Sequence, residues 1–229
     1  MNRRAPELAL VTGLLLAIPL AGFALWATGD VSRSLLTGVA LLYPFVVYAV
    51  YHDEEPTVVL PPGIVAIGGS LLGAVLVADV VVAADAGRRA TAALRGVFLG
   101  LLVAAPAWAY ALGYGRAARR SDGRLSLVAG AVAGGALLVA GLLVGTPFGA
   151  AGALVLWLIG ALAARTAGFR ATEDARLGAV GTGVVLGVAL LFVTLVAGRT
   201  TAPAVLSAVA LALAPALYYG LTVRSAAFE

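Results

Sequence analysis

The chain has 229 residues, 62% of them hydrophobic and only 11% charged, with a mean hydropathy of +1.05. A soluble chain carries about 25% charged residues, so a water-facing globule is excluded. Cysteine is absent, which excludes disulfides, thiolate metal sites and cysteine nucleophiles, and the single histidine, His52, excludes a polyhistidine metal centre or a bis-histidine haem within the chain. All 15 basic residues are arginine, and the net charge of +4 sits in short segments beside apolar runs. That placement speaks for membrane orientation, not nucleic-acid binding.

Met1–Pro6, with Arg3 and Arg4, and the apolar Leu8–Ala27 that follows have the layout of a signal peptide. The run exceeds the usual h-region of roughly 7–15 residues and no clean A-x-A site follows, so it is expected to remain as a first span. Eight stretches are long enough to cross a bilayer: Leu8–Thr28, Leu35–Tyr51, Ile64–Ala84, Leu94–Tyr114, Leu125–Val144, Phe148–Ala164, Leu177–Ala197 and Ala204–Val223. About 20 helical residues at ~1.5 Å each cover a ~30 Å hydrocarbon core. The expected fold is an all-α polytopic bundle of eight spans, a single integral membrane domain over residues 1–229. The connections are too short to hold an extramembrane catalytic domain.

Internal repetition organises the spans. Arg124-Leu-Ser-Leu-Val opens the fifth and Arg176-Leu-Gly-Ala-Val opens the seventh, 52 residues later. They run to Gly145-Thr146-Pro147 and Gly198-Arg199-Thr200, and the first and third spans reach comparable turns at Gly29 and Gly87. The second, fourth and eighth spans share a Pro-x-x-x-Tyr core: Pro44/Tyr48, Pro106/Tyr110 and Pro215/Tyr219. The sixth has Trp157 instead. The pattern suggests four helical hairpins, each entering from the same side, hence parallel repeats about an axis along the membrane normal.

Orientation follows from the arginines. With the N-terminus inside, Arg3, Arg4, Arg116, Arg119, Arg120, Arg124, Arg165, Arg170, Arg176 and Arg224 are cytoplasmic, against Arg33, Arg88, Arg89, Arg95 and Arg199 outside. Both termini are therefore expected in the cytoplasm. The acidic His52–Glu55 and the basic Arg88–Arg95 run against the rule.

Asp79 is the only carboxylate well inside a span. An intramembrane charge costs roughly 2.5–3.5 kcal/mol at the bilayer centre and less near the interface. Arg95 enters the next helix from the same side and reaches a similar depth, so an Asp79–Arg95 ion pair is the expected arrangement, with proton or cation coupling by Asp79 the sharper alternative. His52-Asp53-Glu54-Glu55-Pro56 gathers oxygen and imidazole donors that suit Mg²⁺, Ca²⁺ or Mn²⁺. Consecutive side chains diverge, however, so the segment reads as a solvated acidic loop and no metal or other cofactor is expected. Each proline removes a helical hydrogen bond, and a tyrosine one turn on is placed to serve a carbonyl freed in a neighbouring helix. Either the three kinked helices line a cavity with Tyr48, Tyr110 and Tyr219 facing it, or the kinks only shape the bundle. Glycine pairs at i,i+4, including Gly69/Gly73, Gly96/Gly100 and Gly183/Gly187, call for close helix packing.

The sequence holds no G-x-S-x-G, H-E-x-x-H or Walker A pattern, and no lysine to carry retinal. No catalytic residue is assigned and an enzyme is not expected. The leading reading is a non-enzymatic scaffold or accessory subunit of the cell membrane. The alternative is a permease or channel for a small neutral or weakly polar solute. The partners expected are the lipid bilayer and other membrane subunits or a second copy, with no nucleic acid.

Overall fold

The computed structural model describes residues 5–115, 122–169, 172–198 and 201–226. Of the arginines that set the expected orientation, Arg3, Arg4, Arg116, Arg119, Arg120, Arg170 and Arg199 lie outside these residues, as does part of the turn at Gly198-Arg199-Thr200. The chain forms α1 (Ala5–Thr28), α2 (Val31–His52), α3 (Pro56–Val59), α4 (Pro62–Val82), α5 (Arg89–Tyr114), α6 (Gly123–Val144), α7 (Phe148–Thr166), α8 (Glu173–Val196) and α9 (Ala202–Ala226), with a single 3₁₀ turn, Ala86–Arg88, leading into α5. All but α3 contribute the eight spans, which are long and apolar enough to cross a membrane. The fold is a polytopic transmembrane helix bundle.

Helix starts fall where side chains accept the orphan N–H groups of a first turn. Asp30 accepts from Arg33 N at 2.9 Å, Asp122 from Arg124 N at 2.9 Å, and Thr172 from Ala175 N at 3.3 Å. The caps explain why α2, α6 and α8 begin two to four residues ahead of the apolar runs that announce them. Three helices that open a hairpin end alike. Gly29, Gly145 and Gly198 take left-handed φ values of 64°, 74° and 62°, which an L side chain adopts only with strain. Gly87 departs from this set and lies in the 3₁₀ turn.

Sequence neighbours pair: α1 with α2, α4 with α5, α6 with α7, and α8 with α9. The hairpins join mainly through their second helices, α5 packing on α7 and α7 on α9, while α2 meets α4 over a shorter stretch. α5 and α7 accordingly bury the most residues, among them Leu101, Val103 and Ala107 of α5 and Ala150, Ala153 and Ala164 of α7. The first helices bury little, α8 only Gly183 and Gly187. Their large apolar side chains face outward (Leu15 69% exposed, Val185 66%), which suits lipid as the surrounding solvent.

The seams inside the hairpins are built from small residues. A Cβ on Gly73 would lie 2.8 Å from the carbonyl oxygen of Gly100, and one on Gly100 equally close to that of Gly73. Gly73 and Gly100 thus face each other across one hairpin, with Gly69 against Ala107 and Gly96 against Val77, and the seam lets two backbones touch. Gly183 and Gly187 do the same against the Leu211 and Ala208 carbonyls of α9. Trp108 Nε1 donates to Ser70 Oγ at 2.9 Å, a further link between α4 and α5.

Candidate functional site

Where α1 turns into α2 and α4 turns into α5, the chain leaves a cavity of about 740 Å³. Its wall includes Asp30, Ser32, Asp79, Asp85, Arg88 and Arg95. Asp79 sits in the last turn of α4, its own carbonyl accepting from Ala83 N at 3.0 Å. Its carboxylate reaches across to a different hairpin. Asp79 Oδ2 accepts from Ser32 Oγ at 2.6 Å and from Ser32 N at 3.2 Å.

The expected Asp79–Arg95 ion pair is therefore corrected: both side chains line the same cavity, but the carboxylate is held by Ser32 and no ion pair joins it to the arginine. The reason lies in what each neighbour offers. Ser32 occupies the first turn of α2, where backbone N–H groups have no intrahelical acceptor and the helix dipole favours negative charge. One serine supplies two donors there without the long, mobile stem of an arginine. An ion pair does join Arg33 to Asp30 at 3.1 Å on an exposed edge, and such pairs contribute about 0–1 kcal/mol.

The three Pro-x-x-x-Tyr pairs separate in space. Pro44, Pro106 and Pro215 all lie inside unbroken helices. Tyr48 stacks on His52 with ring centroids 4.1 Å apart, and His52 Nδ1 donates to the Tyr48 carbonyl at 3.0 Å. Tyr110 turns to the short α3, its hydroxyl shared between the carbonyls of Leu60 at 2.7 Å and Pro56 at 3.1 Å. Tyr219 belongs to the α8–α9 hairpin and is half-buried. None of these three tyrosines lines the recess around Asp79 or the apolar groove described below, although Pro215 lies in the wall of that groove. The tyrosine that reaches another spanning hairpin is Tyr43, whose hydroxyl donates to the carbonyl of Val103. Val103 adjoins Leu102, whose carbonyl loses its helical donor to Pro106.

In the acidic segment, Asp53 Oδ1 accepts from Glu55 N at 3.0 Å, closing the turn that leads into α3. Among the described residues, no three His, Asp or Glu side chains gather in a group able to hold a metal.

A second cavity, about 520 Å³, lies between the α6–α7 and α8–α9 hairpins and is almost wholly apolar. Nothing in the sequence marks it, because it arises where two hairpins that meet through α7 and α9 leave α6 and α8 apart. Together the fold and these cavities define a multi-pass membrane protein with one polar recess at a helix end and one apolar groove. No family model, curated protein or solved structure matches the chain.

Proposed function

We propose that the protein is a non-enzymatic component of the cell membrane, a scaffold or accessory subunit, with both termini in the cytoplasm. The observation that carries this reading is the separation of the two cavities. The polar recess is confined to residues 29–32, 79–85 and 88–95 at one end, and the apolar groove belongs to the other two hairpins. Between them stand hairpin seams in which helix backbones approach closely at glycines. Support from chemistry is the same: the one intramembrane carboxylate is occupied by a serine, an arrangement suited to docking helices.

Purified protein in liposomes should release glycerol or urea no faster than empty vesicles, and gentle extraction of native membrane should recover it with a partner in fixed ratio. Solute flux well above background would overturn the scaffold reading. It would favour the permease alternative, in which the recess around Asp79, Arg88 and Arg95 serves as a vestibule. Cysteines placed at Tyr48, Tyr110 and Tyr219 in this cysteine-free chain discriminate further. Reaction of all three with a water-soluble maleimide, with protection by solute, would favour the permease.

A further inference from the structure

The apolar groove has a depth and a polarity that match one kind of molecule. Its α8 wall runs from Ala175 to Leu186, a rise of ~16 Å along the helix, about half of a ~30 Å hydrocarbon core. The deep end is closed by Leu186 and Leu211, and the flanks by Trp157 and Ala131. Arg176 stands at the mouth, at the level where α6 and α8 begin. Ala175, Ala179 and Thr182 of that wall are exposed, so the groove opens sideways to whatever surrounds the bundle. In a membrane that surrounding is lipid.

We propose that this groove is a binding site for one phospholipid with an anionic headgroup. An acyl chain of a single leaflet lies along α8 and α9, and the headgroup phosphate is met by the Arg176 guanidinium. A cavity of about 520 Å³ is within the usual ~300–1,000 Å³ range for a bound ligand, and a chain inserted from one leaflet needs no polar partner below the mouth. A basic side chain between spanning helices at the interface is the recognition element for anionic headgroups.

Native mass spectrometry of the full-length protein in mild detergent, titrated with phosphatidylglycerol or phosphatidylcholine of identical chains, tests this. Wild type should retain one lipid with about a fivefold preference for phosphatidylglycerol, the size expected of one interfacial arginine. Arg176→Gln should bring the preference close to unity, and Arg176→Lys should keep most of it. Ala179→Phe and Thr182→Phe, each filling the groove from an exposed position, should weaken retention of both lipids about tenfold, since two lost buried methylenes already account for that. Inorganic phosphate should not displace the lipid. Unchanged retention in both filled variants overturns the proposal. So does a filled variant that turns a dimer into a monomer at constant lipid count, which would make a second copy the occupant.

Discussion

Within the α6–α7 hairpin the helices meet backbone to backbone, whereas α2 and α5, from different hairpins, are tied by a single tyrosine hydroxyl. The Cα of Gly149 is so near α6 that a Cβ there would lie 2.5 Å from the Gly141 Cα. Tyr43, by contrast, spans its gap with a full-length side chain ending on the Val103 carbonyl. The difference follows from the solvent. Lipid tails are as apolar as leucine, so helices do not associate by hiding apolar surface. They associate through close van der Waals contact and scattered hydrogen bonds. The glycine seams exploit the first, and the joint of the first hairpin to the second relies more on the second.

The contrast can be broken most violently at a seam. Gly149→Leu would drive its Cβ into the Leu137 carbonyl oxygen, a rigid neighbour. It should cost about 3 kcal/mol, read as a lowered unfolding midpoint in detergent. Gly135→Ala, where the added atom meets open space, should stay within ~0.5 kcal/mol of wild type. Next in size is the polar link between the first two hairpins. Ser32→Ala removes the shorter of the two bonds to Asp79 and should cost about 1–2 kcal/mol, while Asp79→Asn, which still accepts from Ser32, should cost less. Equilibrium unfolding of both variants checks the order. Tyr43→Phe deletes one interhelical bond and should cost about 0.6 kcal/mol, the average for such bonds in a membrane bundle. Smallest is Tyr48→Phe. The Tyr48 side chain is 44% exposed and its ring contact with His52 survives the change, so the midpoint should not move.

The spans were legible because length and the lack of interior charge are properties of single stretches. The Phe148 start of α7 and the Tyr114 end of α5 agree with the sequence to the residue. α3 escaped notice because a four-residue helix that starts on a proline is too short to show a helical period. The glycine pairs indicated close packing without saying against what, and the answer proved to be the adjacent helix of the same hairpin. Asp79 stood out as an intramembrane charge, but its partner did not. Arg95 is next along the chain, whereas Ser32 is 47 residues away, and only the docking of α2 against α4 brings it near. Tyr43 was hidden for the same reason, one position before a proline-tyrosine pair that drew attention to itself.

Because every seam is made by consecutive helices, its formation does not wait for the rest of the polypeptide. A ribosome adding about 5–20 residues per second delivers a hairpin unit in several seconds, long enough for its two helices to zip together before the next pair emerges. Once the chain through Gly115 has emerged, it contains two such units and both residues of the Ser32–Asp79 clasp between them. Membrane insertion can thus proceed two helices at a time, each pair leaving the translocation machinery with its glycines already in register.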